Sequence, residues 1–113
     1  GTLRVGDRVV VNPGISCRRC EWCLKGEQPL CVKFGLLGEH FPGSFAELLV
    51  LPASNVRKVA DHVPDDVAAA FTLATLTAWR MCVTRARVQP GEDVLIWGIG
   101  GGVAQAALRI CKQ

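Results

Sequence analysis

The stretch Cys17-Arg18-Arg19-Cys20-Glu21-Trp22-Cys23, closed by Cys31, decides how this chain is read. Four of the six cysteines stand there at spacings of two, two and seven residues. Short two-residue spacers let one tight loop present successive sulfurs to a single ion, and Zn²⁺ takes four thiolates tetrahedrally at about 2.3 Å. Arg18, Arg19 and Lys25 lie within the same loop, where their charge is expected to stabilise the thiolates. Two other arrangements compete. Bacterial ferredoxins also begin C-x₂-C-x₂-C, but their run closes with three residues and Cys-Pro, whereas Val32 follows Cys31 here. A disulfide net calls for an oxidising compartment, and no leader points to one. The leading expectation is one structural Zn²⁺ per chain held by Cys17, Cys20, Cys23 and Cys31, with no coordination position left for a substrate.

At 113 residues the chain accommodates one domain or pieces of two. Half of its residues are hydrophobic and a fifth are charged, as in a packed globular protein. The net charge of +3 is mild and the basic residues are scattered, so no nucleic-acid partner is expected. No apolar run approaches the roughly 20 residues that span a bilayer, so no membrane is expected either. With no basic-then-apolar leader, the expected location is cytoplasmic. Gly1 is not an initiator methionine and the last helical pattern still runs at Gln113. A segment of a longer protein is therefore expected.

Outside the cysteine loop, Val5 to Val11 reads as a turn feeding a short apolar strand, closed by Asn12-Pro13-Gly14. The cysteine lobe fills 16–32 and a glycine-containing loop runs from Lys33 to Pro42. Ser44 to Leu51 and Val56 to Val59 read as strands around a turn at Pro52-Ala53-Ser54-Asn55. Short strands broken by Gly and Pro suggest a partly open β-barrel. The pattern changes at Asp61. Pro64-Asp65-Asp66 opens a helix, since proline suits a first turn and carboxylates its positive end. Val67 to Phe71 and Leu76 to Arg87 are expected as two helices with a bend at Thr72 to Thr75, and Val88 to Gly91 as a stop and turn.

Val94-Leu95-Ile96-Trp97 has the unbroken apolar character of a buried parallel strand. Gly98-Ile99-Gly100-Gly101-Gly102 follows, and Val103, Ala106, Ala107 and Ile110 recur at helical spacing. Strand, glycine turn and helix together open a dinucleotide-binding unit, in which exposed N–H groups at the helix start meet a pyrophosphate. Two parts of that fingerprint are missing. Val103, with Ala104 next, stands where the last glycine belongs, and the acidic residue about 20 positions on lies outside the chain.

The order of cysteine lobe, Gly43-Ser44-Phe45-Ala46-Glu47-Leu48, helix pair and glycine turn resembles the zinc-containing alcohol dehydrogenases of the medium-chain dehydrogenase/reductase family, from Gly6-Asp7-Arg8-Val9 to Ala107. The resemblance implies an α/β architecture: part of a GroES-like β-barrel with a Cys₄ zinc lobe, joined by helices to the first β-α unit of a Rossmann domain. It sets residues 1–60 in the GroES-like catalytic portion, 61–88 in connecting helices and 89–113 at the start of the cofactor domain. It makes Cys17, Cys20, Cys23 and Cys31 the structural zinc ligands. Gly98, Gly100, Gly101 and Gly102 become the pyrophosphate loop of an NAD(P) site, and Thr77 the threonine beside the nicotinamide. A small-molecule substrate and a homo-oligomer are further implications.

The family's catalytic zinc ligands precede this chain, except for a cysteine four residues before Thr77. Leu73 occupies that place, and an apolar side chain cannot ligate zinc. At this position, and in the run Phe71 to Trp79, the chain resembles the quinone oxidoreductase-like branches, which reduce polarised C=C bonds with NADPH and no metal. No catalytic residue can be named. His40 beside Glu39 is expected to be a solvated loop histidine, His62 a surface residue, Glu47 structural, Trp79 core, and Cys82 and Cys111 buried thiols in helices. Arg80, Arg85 and Arg87 are expected to form a solvated face. The implied activity is hydride transfer between nicotinamide and a carbonyl, alcohol or activated alkene. The alternative is a non-catalytic zinc module that mediates subunit contact. One strand and helix make no crevice between strands, so the chain by itself is expected to bind NAD(P)H weakly, with 89–113 poorly ordered or paired with another copy.

Overall fold

The computed structural model describes residues 3–113; Gly1 and Thr2, which open the expected first domain, lie outside the described residues. The chain divides into two compact units, one ending at Ala60 and the other running Asp61–Gln113.

The first unit contains two small antiparallel ladders. Strand β1 (Val9–Val11) pairs with β4 (Val56–Lys58) in the register Val9 with Lys58, Val10 with Arg57 and Val11 with Val56. Strand β2 (Gly14–Ile15) pairs with β3 (Gly35–Leu36). Between β2 and β3 lie a one-turn helix α1 (Glu21–Leu24) and a 3₁₀ turn at Gln28–Leu30. A second 3₁₀ turn, Ala53–Asn55, feeds β4. Among the described residues these two-stranded ladders stand in place of the expected open barrel. The stretch 44–51, expected as a strand, joins no ladder. Its Phe45, Leu48 and Val50 are exposed. Aromatic and branched residues favour a strand only where a neighbour supplies hydrogen bonds and a packing face.

The second unit is helical. Helix α2 (Asp65–Trp79) begins after Pro64 with Asp65 and Asp66 in its first turn, as expected. It passes through Thr72–Thr75 without a bend, which corrects the two-helix expectation. Nothing between 72 and 75 removes a backbone donor, and threonine lowers helix propensity by only a few tenths of a kcal/mol. At Arg80–Arg85 the helix widens to π geometry, where the Ala86 N–H donates to the Met81 carbonyl at 2.9 Å. Arg87 then adopts a left-handed φ of 53°, the conformation that commonly ends a helix.

Helix α3 (Gly102–Cys111) is formed and packs against α2. Ala78, Cys82 and Ala107 are the centre of this core, and Val88, Ile96, Val103, Ala106, Ile110 and Cys111 close around it. The helical spacing of Val103, Ala106, Ala107 and Ile110 therefore identified the correct face. Within 89–113 the helical part is thus packed on α2. Val94 to Trp97 has no ladder partner among the described residues, with Leu95 89% and Trp97 90% exposed. Trp79 is half exposed and not a core residue.

The continuous helical stretch Asp65–Arg85 is by length and composition apolar enough to cross a membrane, although no such run was expected. The core helix of a globular protein meets the same criterion, and the Ala78–Cys82 face of this stretch is taken up by α3.

Candidate metal centre and glycine turn

All four sulfurs of Cys17, Cys20, Cys23 and Cys31 lie within 4.8 Å of one another. Cys17 and Cys23 are 4.0 Å apart, and Cys20 and Cys23 3.5 Å. A tetrahedron with metal–sulfur bonds of about 2.3 Å has edges of about 3.8 Å, so the tetrad fits one ion. A disulfide needs about 2.05 Å, and all six cysteines carry free thiols. A cubane cluster gives each thiolate a different iron and spreads its ligands farther apart than one ion does.

The backbone builds this geometry. Cys20 is the N-cap of α1 and Cys23 lies on its buried side, so a single turn of helix turns two sulfurs toward one point. The 3₁₀ turn at Gln28–Leu30 then delivers Cys31, which is buried. Its sulfur accepts the N–H of Cys17 and of Lys33, both at 3.3 Å. The Cys17 thiol is lowered to about 6, chiefly by the backbone N–H groups of Arg19 and Cys20. Cys20 is lowered chiefly by the N–H of Cys23. Cys23 is pushed up to about 11, first by burial, against the lowering effect of the Ser16 hydroxyl and the Arg18 N–H. The Cys31 sulfur thus has two backbone donors in hydrogen-bond geometry, the kind of support that a metal-bound thiolate receives.

Backbone N–H groups lower these thiols, and two of the loop's three basic side chains are turned to other partners. The Arg18 guanidinium donates to the Asn55 side-chain oxygen at 2.9 Å. Lys25 pairs with Glu21 at 3.4 Å and lies 5.4 Å from the Trp22 ring centroid. Only the fold could reveal this, because backbone donors carry no residue-type signature. Arg18 also has a left-handed φ of 59°, a conformation that costs a non-glycine residue about 1 kcal/mol or more.

The other singled-out residues form no second cluster. Among the described residues the four cysteines are the one group of three or more Cys, His, Asp or Glu side chains placed to share an ion. His40 accepts the Leu36 N–H at 3.2 Å and stands 3.9 Å from Glu39, so it is a residue of its own loop. His62 is exposed, and Leu73 is half exposed on α2. Thr77 is exposed and donates its hydroxyl to the Leu73 carbonyl at 2.9 Å.

In the glycine turn, Gly98 has a φ of +73°, which a side chain would strain. Gly101 caps α3, and its N–H donates to the Gly98 carbonyl at 3.0 Å. Gly102 is the first residue of α3 and passes close to α2, where an added Cβ would lie 3.6 Å from that of Ala74. Gly100 faces open space. The turn thus presents the start of a ten-residue helix without a side-chain cap, and such an end attracts anions.

The four-thiolate loop connects β2 to β3, the two strands of one short antiparallel ladder. The sequence profile of the alcohol dehydrogenase GroES-like domain matches residues 1–61, and the chain belongs to that family. An L-threonine 3-dehydrogenase of Deinococcus radiodurans is 43% identical over 95% of this chain and 30% of its own length. The crystal structure of an NAD-dependent alcohol dehydrogenase superposes with a TM-score of 0.90 at 48% identity, over 95% of this chain and 31% of that one. A cobalt- and zinc-bound thermostable alcohol dehydrogenase from Pyrobaculum aerophilum superposes at 0.83 with 33% identity, over 99% of this chain and 33% of that one. The chain spans about a third of the length of these relatives.

Proposed function

We propose that the chain supplies the structural zinc lobe and the start of the cofactor domain of an NAD(P)-dependent oxidoreductase. The observation that carries this reading is the sulfur tetrad, of single-ion size, within a segment of the alcohol dehydrogenase GroES-like family. Cys17, Cys20, Cys23 and Cys31 would hold one Zn²⁺, which cross-links the lobe and takes no part in the reaction. On this reading residues 1–60 belong to the catalytic domain, 61–88 to the connecting helices and 89–113 to the Rossmann domain.

Nicotinamide, when bound, supplies or accepts the hydride. Gly98, Gly100, Gly101 and Gly102 would let its pyrophosphate approach the N-terminus of α3, and Thr77 would flank the ring. Dehydrogenase names among the relatives favour this over a non-catalytic module. An alcohol or carbonyl substrate follows from those names, whereas an activated alkene and the lack of a catalytic zinc rest on Leu73 and on the likeness of the run Phe71 to Trp79. Two proposals stand on the family resemblance: a small-molecule substrate and a homo-oligomer. A cytoplasmic location is a further proposal that rests on reading the cysteine loop as a metal site and not as a disulfide net. Helix α2 carries exposed Phe71, Leu73, Leu76 and Trp79. Apolar side chains in that number are expected to be covered in the complete protein.

Two measurements test the reading. Metal analysis of the chain purified without added zinc is expected to give about one equivalent; iron, or no metal, overturns the zinc assignment. A full-length protein containing the chain is expected to oxidise or reduce NAD(P) with an alcohol, carbonyl or activated alkene. Failure with cofactor shown to bind overturns the oxidoreductase assignment. The chain alone is expected to bind NADH or NADPH more weakly than about 100 μM.

A further inference from the structure

We propose that Asn55 is a positioning residue for the metal loop, acting through Arg18 to control how fast the ion leaves. The proposal rests on the zinc reading above. Asn55 is 2% exposed, the one buried polar or charged side chain among the described residues. It lies outside the cysteine lobe, at the end of the 3₁₀ turn that feeds β4. Its side-chain amide donates to the Asn12 carbonyl at 2.8 Å and to the Gly14 carbonyl at 2.7 Å. Its own carbonyl accepts the Asn12 N–H at 2.7 Å. The two amide bonds fix the side chain against the junction of β1 and β2, and the main-chain bond fixes its backbone there. The amide bonds also fix the side chain's orientation, because a flipped amide would set its oxygen against two carbonyls.

The remaining oxygen of that amide accepts the Arg18 guanidinium at 2.9 Å. Arg18 follows Cys17 and has the left-handed φ of 59°. Its backbone therefore sets the path from Cys17 to Cys20, the first two sulfurs of the set. An arginine does not choose a left-handed conformation unaided, and the link to Asn55 is the visible restraint upon it. The restraint holds the left-handed turn between the ligands Cys17 and Cys20. Groups that orient metal ligands without touching the ion commonly change affinity by about 10- to 100-fold.

Four variants of the chain, loaded with one equivalent of zinc, test this. Zinc release to a chelating dye is the readout, with the spectrum of the cobalt-loaded form as a check that four thiolates still bind. Arg18→Ala keeps the left-handed demand and loses the anchor, and is expected to release zinc about tenfold faster. Arg18→Gly loses the same charge and anchor but meets no strain at this φ, and is expected to release near the wild-type rate. Asn55→Ala is expected to release at least as fast as Arg18→Ala. The double variant Arg18→Ala/Asn55→Ala should be no faster than Asn55→Ala, because both changes cut one link.

Wild-type release from Arg18→Ala overturns the proposal, as does equal acceleration in Arg18→Gly, which would assign the effect to charge. If Asn55→Ala fails to fold, the two Arg18 variants decide the matter. A wild-type chain that takes up one zinc while Arg18→Ala releases at its rate leaves the metal reading intact and sinks this inference. A wild-type chain that takes up no zinc overturns both.

Discussion

The cysteine loop and the glycine turn are both short motifs with recognisable spacing, yet the structure treats them differently. The loop closes on itself: four sulfurs, their backbone donors and the turns that present them all fall between Ser16 and Lys33. The glycine turn has half of what it needs. Its helix α3 is packed on α2, while the apolar stretch before it, Val94 to Trp97, lacks a ladder partner among the described residues. A metal site of this kind is assembled from local contacts, whereas a parallel strand depends on neighbours that arrive from elsewhere in sequence. The loop's four sulfurs are local to it, and Asn55 adds a link from outside through Arg18.

Metal removal is the harshest way to break this comparison. Binding free energy at a structural zinc site is folding free energy, on the order of 10–16 kcal/mol in zinc-finger peptides. Stripping the ion with a chelator, or substituting the buried Cys31 by Ala, is expected to abolish the cooperative thermal transition of the first unit. The helical transition of the second should remain where it was. Calorimetry with and without chelator checks this, and two transitions that fall together would mean that the lobe is not a self-contained element.

The same distinction explains what could be read in advance. Cys17, Cys20, Cys23 and Cys31 declare their purpose by residue type and spacing. Val103, Ala106, Ala107 and Ile110 declare a helix face by periodicity, and the α2–α3 core uses that face. Phe45, Leu48 and Val50 also looked like strand residues, but strand character is a relation between two segments, and here they meet no partner. The backbone donors to sulfur and the Asn55–Arg18 link were hidden for a related reason. Any residue can offer an N–H, and Asn55 is 37 positions from Arg18.

A smaller perturbation examines the second unit alone. Ala78 is fully buried, in the core that α3 completes. Ala78→Leu forces extra volume into that contact and is expected to cost about 1–3 kcal/mol. Urea unfolding followed by helical circular dichroism measures the loss, and zinc content should not change. An unaltered midpoint would mean that the α2–α3 contact is loose, leaving α3 as unsupported as the stretch before it.

Within the glycine turn the positions should separate by backbone geometry. Gly98→Ala places a Cβ at a φ of +73° and is expected to cost about 1–2 kcal/mol. Gly102→Ala should be tolerated or gain up to about 1 kcal/mol, because its new Cβ would make an ordinary 3.6 Å contact with Ala74. Equal effects at the two positions, measured by the same unfolding, would remove the case for a conformational demand at Gly98.

The smallest expected effect lies at the edge of the β1–β4 ladder. Asp7 accepts from Lys58 at 2.6 Å and from the Arg4 N–H at 2.9 Å, which hold its carboxyl below the usual value of 3.8. A carboxylate lowered on folding contributes stability that is fully present above 3.8. That contribution is lost as pH falls through the still lower folded value. The Lys58 side chain is 60% exposed, so water and salt weaken the pair. Asp7→Asn should therefore lower the first unit's unfolding midpoint slightly at pH 6. The gap to wild type should close as pH drops below 3.8, and should narrow in high salt at any pH. Urea titrations at several pH values, with zinc content checked at each because acid also protonates the cysteines, make the comparison. A gap that stays constant across that range would mean that Asp7 acts through its shape and not through its charge.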